Sequence, residues 1–323
     1  STPVEKIDDA YMQRARSLLA KCPTNRLKIY PKLSLEDAIM QAAKQAKPTL
    51  SPITQSVYLD TLRDILKVGV RKKLIGTNPA ADLRPLKKDN VPADQKRFPW
   101  TDDQLKGFFE GKFYRSCAPG ASEPYLKPDR AWRFWLPLIM LFTGARPNEI
   151  AQLHVSDVRK TPKGTWYLDC NENDDESKNL KTPSSKRRVP LHPVLVQIGL
   201  LSFVEERRKS VEGNGPRLFH ELKANEYGNF AWYAAKRLNE AFIPAEIALA
   251  ERQSLYSLRH NVRDALRRAK APDETLSAIA GWAPNGKTVS SDYGDPKNPD
   301  FHVEWVEQIA YPGLDLSFLY GER

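Results

Sequence analysis

The chain has 323 residues, 41% of them hydrophobic and 28% charged, an ordinary composition for a folded protein and enough for two domains of roughly 150 residues each. No window approaches the roughly 18 uninterrupted apolar residues of a membrane span, and the scattered Cys22, Cys117 and Cys170 make neither a disulfide framework nor a zinc ribbon. The net charge of +10 lies almost wholly in the first third, where residues 1–97 hold 19 basic against 10 acidic residues, and a module of that kind suits an anion such as nucleic acid. Residues 1–20 also lack the apolar central run of a signal peptide, so a cytoplasmic protein with no membrane partner is expected.

In chain order, residues 6–20 are predicted as a helix that ends near Cys22-Pro23. Ser34 caps a second, with Glu36 and Asp37 placed to suit the helix dipole, which runs to about Ala46 before Pro48. Ser51 starts a third, in which Val57, Leu59, Leu62, Ile65, Leu66 and Val70 have the spacing of one apolar face. Arg63, Lys67, Arg71, Lys72 and Lys73 are expected on its outer face, and a short helix after the Asn78-Pro79 turn. Residues 85–99, with three prolines and few apolar groups, read as a linker. The domain boundary is placed near residue 95, giving an all-helical basic domain over 1–95 and a second domain over 96–323.

In the second domain, Thr101 and Gln104 have the spacing of a capping box. Ala131–Phe142 is apolar on all sides, as a buried helix would be, and Thr143-Gly144-Ala145 breaks it. Pro147, at a first helical position, opens the next helix through Leu153. Residues 164–170 alternate like a strand, an acidic loop spans Asn171–Ser177, and Arg187–Leu191 is a second short strand. Helices follow at 195–208, 227–241, 258–269 and 273–280. The expected fold class is therefore mainly α with a small β-hairpin in the second domain.

Four separated segments carry residues suited to one chemistry. They are Phe142-Thr-Gly-Ala-Arg-Pro-Asn-Glu-Ile-Ala-Gln-Leu153, Leu180-Lys-Thr-Pro-Ser-Ser-Lys-Arg-Arg-Val-Pro-Leu191, Leu255-Tyr-Ser-Leu-Arg-His260, and Ala280-Gly-Trp-Ala283 with Tyr293 beyond it. In this order they resemble the tyrosine recombinase (phage integrase) family. Its motifs are a GxRxxEI turn, a hairpin lysine before RxVPL, an HxLRH segment, a GH or GW dipeptide and a terminal tyrosine. Upstream, Leu50-Ser-Pro-Ile-Thr-Gln55 and Leu74-Ile-Gly-Thr-Asn-Pro79 resemble that family's helical core-binding domain, so the resemblance spans about residues 30–310.

The resemblance implies a site-specific integrase that cuts and rejoins DNA through a 3′-phosphotyrosyl link. Tyr293, in a setting of serine, glycine and acids that suits no core, is the implied nucleophile. Arg146 and Arg259 are the implied phosphate forks, since a guanidinium can hold two phosphate oxygens. Lys181 is the implied general acid for the departing 5′-oxygen, favoured over Lys186, Arg187 and Arg188, which are expected as strand-end cations near the DNA backbone. Trp282 fits a donor that buttresses the nucleophile. Glu149, one turn from Arg146, is expected to orient it, and His260 to have a structural role. Tyr256 stands where the family usually has histidine: its hydroxyl can donate to phosphate, yet at an ordinary value near ~10 a phenol is a poor base.

Neither a metal nor a cofactor is required by this constellation. The implied partners are double-stranded DNA attachment sites, three further copies in a homotetramer, and DNA-bending or excision accessory proteins. The two domains would form a clamp around DNA in a nucleoid-associated protein. A resolvase, a topoisomerase-like nicking-closing enzyme and a DNA-binding relative that has lost cleavage stay open beside the integrase. Two readings of the tail are also open: Phe301, Val303, Val306 and Ile309 or Ala310, on one face of a short helix, pack on their own domain or dock on a neighbouring protomer.

Overall fold

The structure, a computed structural model, describes residues 2–90, 97–127, 130–172, 175–281 and 297–320. The chain divides into two compact units, Ser1–Pro92 and Ala93–Arg323.

The first unit is built on three helices, α1 (Asp9–Lys21), α2 (Leu35–Lys44) and α3 (Pro52–Arg71). Each begins where a short polar side chain accepts a bond from a free backbone N–H: Asp8 from Tyr11, Ser34 from Asp37 and Ser51 from Thr54. Gln55, Leu59, Leu66 and Gly69 form the buried stripe of α3, at steps of three, four or seven residues. Leu59 and Leu66 pack with Met12 of α1 and with Ala80 and Leu83.

This corrects the face read from the sequence. Val57 and Ile65 are 59% and 61% exposed, because the helix carries a second apolar stripe and the chain after it covers the other one. Arg63 also leaves the expected outer face. Its Nε and Nη2 donate to the carbonyls of Ala80, Ala81 and Leu83, and its Nη1 donates to Asp60. Among the described residues, no helix follows Asn78-Pro79 before Asp102. Asn78 donates to the Arg63 carbonyl and accepts from the Ala80 N–H, which holds the segment as turns.

The second unit starts with α4 (Asp102–Phe109), where Thr101 and Gln104 close the reciprocal capping box. Next, α5 (Arg130–Thr143) is buried at every residue from Trp132 to Thr143 and is the rod around which the unit is built. Gly144, at φ +62°, ends it, and α6 (Pro147–Ala151) follows. Three antiparallel strands, β1 (Val158–Lys160), β2 (Trp166–Cys170) and β3 (Arg187–Pro190), lie in chain order, with Val158 opposite Leu168 and Leu168 opposite Val189. Strand β1 is not foreseen in the sequence, since three residues are too few to show alternation.

The helix predicted over 195–208 is split. Gly199, at φ +103°, separates Pro193–Gln197 from α7 (Leu200–Lys209). The helix predicted from residue 227 begins at Trp232 and widens into a π-type turn over Leu238–Phe242. Then come α8 (Leu258–Arg268), α9 (Asp273–Ala280) and α10 (Val303–Glu307). The fold is mainly α with a small antiparallel sheet.

Part of the tail packs on its own domain. Val306, Ile309, Tyr311 and Leu316 are buried in the same core as α5. The Tyr311 hydroxyl donates to the Leu141 carbonyl, its ring meets Phe142 edge-on at 5.9 Å, and Arg268 donates to the Ala310 carbonyl. Phe301, placed on the apolar face by its spacing, is instead 57% exposed. Phe318 and Tyr320 are also exposed, at 40% and 39%, so the tail's large apolar groups are divided between the core of the protomer and its surface. Tyr311→Phe strips the partner from a buried carbonyl, and denaturant unfolding of the full chain is expected to show a loss of about 1–3 kcal/mol.

Candidate active site

Helix α5 stops against a knot of positive charge. Thr143 turns its hydroxyl back to the Ile139 carbonyl and accepts the Ala145 N–H, which ends the helix cleanly. The buried Gly144 carbonyl is taken by Nη1 of Arg259, reaching from the first turn of α8. Two residues on, Arg146 stands at the N-terminus of α6. Its backbone N–H donates to Glu149 Oε2 at 2.8 Å, and its Nη1 donates to Glu149 Oε1 at 2.6 Å and to Ser185 Oγ at 2.7 Å. Ser185 Oγ is in turn 3.0 Å from the hydroxyl of Thr182.

Glu149 holds a second guanidinium. Its Oε2 accepts from Arg187 Nη2 at 2.9 Å. Arg187 also donates through Nε to the Ile279 carbonyl at 2.7 Å and through Nη1 to the Ser185 carbonyl at 2.9 Å. Its side chain is 2% exposed. The expectation of Arg187 as a strand-end cation at the surface is therefore corrected: it is the buried centre of the cluster. The signal was present in the sequence, because alternation along β3 puts Arg187 on the same face as the buried Val189. Lys186 and Arg188, by contrast, are exposed.

The charges of the cluster are mutually dependent. Burial alone pushes the Glu149 carboxyl up, but the Arg187 guanidinium and the hydrogen bonds from Arg187 and Arg146 outweigh it and hold the acid at about 2. Arg259 is lowered to about 10, first by burial and then by the charges of Arg187 and Arg146, with Tyr256 and Glu149 acting against the shift. It is still a cation at neutral pH. Three guanidinium groups against one carboxylate leave net positive charge, suited to an anion with several oxygens.

The sequence-derived site residues fall into three groups. Arg146, Glu149 and Arg259 are brought together at the end of α5. Lys181 is exposed and directly precedes the Thr182–Ser185 turn that bonds Arg146. The chain before it is firmly held. Lys178 makes a buried 2.7 Å ion pair with Asp157, Asn179 N–H donates to Gln152, and Leu180 N–H donates to Glu172. Tyr256 lies half-buried in the Leu255–Ser257 turn ahead of α8. His260 is half-buried, with its ring centroid 6.3 Å from that of Tyr256. Burial, then Arg263 and Arg97, pushes its imidazole down to about 4, so it is neutral at pH 7.

Trp282 and Tyr293 lie outside the described residues. The glycine before Trp282 does have a clear role. Gly281 sits at φ +63°, and a Cβ there would meet Arg187 Nη1 at 3.0 Å and the Ser184 carbonyl at 3.1 Å. Sequence reasoning missed Arg97 altogether. Its guanidinium lies 4.7 Å from the centroid of the Tyr256 ring. Arg97 ends a charged linker-like stretch, and nothing in its spacing points to the site.

No family model matches the chain, and no curated protein matches it. Among solved structures, it is similar to an integrase from mycobacterium phage Brujita, at 15% identity and a TM-score of 0.42, covering 97% of this chain and 92% of that one. It is also similar to a lambda integrase dimer bound to a COC′ core site, at 14% identity and a TM-score of 0.47, covering 92% and 83%. A third is the XerH site-specific recombinase bound to palindromic difH substrate in a post-cleavage complex, at 16% identity and a TM-score of 0.49, covering 94% and 70%. With values this low, the functional argument rests on the side chains of the site.

Replacing Glu149 by alanine leaves Arg187 buried without its carboxylate, and thermal or denaturant unfolding is expected to show a loss of about 3–5 kcal/mol. The folded-state value of about 2 lies below the ordinary carboxylate range. The stabilisation is thus complete above that range and lost as pH falls toward 2. Wild type and Glu149→Ala should accordingly converge in stability across roughly pH 5 to 2.

Proposed function

We propose that this chain is a site-specific DNA recombinase of the integrase type, which cleaves and rejoins DNA through a tyrosine. The observation that carries the reading is the convergence of three sequence-distant segments. Arg146 and Arg259 meet at the end of α5, against the Thr182–Ser185 turn that follows Lys181. A surface Arg–Glu pair would need only Arg146 and Glu149. It would have no use for the guanidinium of Arg259 at the Gly144 carbonyl, or for the bond from Arg146 to Ser185.

In this reading the Tyr293 oxygen attacks the scissile phosphorus and its proton passes to water. The bond from phosphorus to the 5′-oxygen breaks, and Lys181 protonates that oxygen as it leaves. Arg146 and Arg259 stabilise the charge gathering on the nonbridging oxygens, with Tyr256 and Trp282 as further donors. Glu149 and Arg187 keep Arg146 in place. A 5′-hydroxyl, from the same or another strand, then attacks the phosphotyrosyl link and frees the tyrosine, so no external energy source is needed. The first unit, with its basic helices, contributes contacts to the DNA backbone. Four protomers on two synapsed attachment sites, aided by DNA-bending or excision proteins, would integrate or excise a mobile element within the nucleoid. A relative that binds DNA and no longer cuts it is the second reading, favoured by Tyr256 in the position of the usual histidine.

A nicked suicide duplex separates the two. The wild type is expected to form a denaturant-resistant adduct, equally well in chelator, because guanidinium and lysine charges serve the phosphate. Tyr293→Phe should bind as well and form none. Adduct from that variant would move the nucleophile elsewhere, and binding without adduct by the wild type would favour the second reading. Binding should weaken steeply with salt, and joint neutralisation of the exposed Lys67, Arg71 and Lys72 should reduce the slope of log K against log salt by up to about 3. An unchanged slope would remove the first unit from the DNA backbone.

A further inference from the structure

We propose that Arg97 is a positioning residue for Tyr256, its guanidinium fixing and polarising the phenol so that the hydroxyl serves as a phosphate donor beside Arg259. The inference rests on the strand-cleavage reading above and concerns the one position at which this chain departs from the pattern of the family it resembles.

The contact is supported from both sides. A cation over an aromatic face at an exposed site is a weak contact, too weak to hold a long side chain by itself. Here the backbone does the holding. Trp100, 2% exposed, donates its N–H to Asn261 Oδ1 at 3.0 Å and accepts Asn261 Nδ2 at its carbonyl at 2.7 Å. Its indole Nε1 donates to the Ser254 carbonyl at 3.0 Å, and Gln253 Nε2 donates to the Pro99 carbonyl at 2.6 Å. Four hydrogen bonds thus fasten the strap that follows Arg97 to the two flanks of Tyr256. The Arg97 guanidinium then lies 4.7 Å from the ring centroid.

Tyr256 lies in the turn that leads into α8, three residues before Arg259. The neighbouring imidazole cannot bring positive charge, since His260 is neutral at pH 7. A guanidinium on the ring face draws electron density from the phenol and makes its O–H a better donor. Positive charge therefore reaches this corner through a tyrosine, where the resemblance implies a histidine.

The test uses the full chain and a duplex recovered by binding from a random-sequence pool, nicked within the bound region. Arg97→Ala is expected to slow single-turnover adduct formation about tenfold while binding stays within about twofold. Arg97→Lys, which keeps a cation, should recover part of the rate. In a Tyr256→Phe background, Arg97→Ala should have no further effect, because the hydroxyl it acts through is gone. Equal slowing with and without that hydroxyl, or no slowing, overturns the proposal.

A second readout needs no cleavage. In chain labelled with carbon-13 tyrosine, and with the Tyr256 resonance assigned through Tyr256→Phe, inorganic phosphate should shift that resonance, and Arg97→Ala should weaken the response several-fold. A resonance indifferent to phosphate, or a response indifferent to Arg97, overturns the proposal. An Arg97-dependent response in a wild type that forms no adduct would overturn the cleavage reading instead and leave Arg97 in its place.

Discussion

The carboxylate of Glu149 is the interaction on which the site depends. It joins the backbone and side chain of Arg146 to the buried guanidinium of Arg187, and so fastens α6 to β3. Burying a guanidinium is costly unless its donors are met, and Nε, Nη1 and Nη2 of Arg187 all are, by Ile279, Ser185 and Glu149. The same side chain therefore holds the end of α9, the turn after Lys181 and the carboxylate at once. Gly281 follows from it, since a Cβ there would press on the Arg187 guanidinium.

Around that centre the fold works as a frame with fixed joints. The apolar rod α5 ends at a point set by Thr143 and Gly144, and the carbonyl left open there holds Arg259. The segment leading to Lys181 is anchored by the buried pair of Lys178 with Asp157, and the segment around Tyr256 by Trp100 and Asn261. Arg146, Lys181, Tyr256 and Arg259 thus each sit within five residues of a buried polar anchor. This division suits a site that must hold charge in place without water to screen it.

The sequence made the local features legible. Ser34, Ser51 and the Thr101–Gln104 pair start helices because capping is decided within one turn. The run Trp132–Phe142 is buried because apolar residues cover its sides around the single Arg133, and Gly144 breaks it because its φ is positive. Arg146, Glu149 and Arg259 were legible through motif resemblance and meet in space. Other features were hidden. Helix α3 has two apolar stripes, and its own periodicity does not say which one the residues after it will cover. Arg63 and Arg187 read as surface cations because charge suggests solvent, yet both find backbone carbonyls. Strand β1 owes its existence to β2 alone.

The sequence by itself therefore determined where the side-chain-capped helices begin, that the chain is mainly α with a small sheet, and which residue types are present for phosphate chemistry. These depend on neighbours within a few positions, or on side-chain chemistry that needs no fold. Tertiary structure decided that Arg187 is buried, that the tail's Tyr311 closes on α5 within the same protomer, and that Arg97 lies over Tyr256. Each of these is a contact between residues far apart in the chain. Its energy comes from partners that hydrophobic period and charge pattern do not encode, so it exists only once the chain has closed on itself.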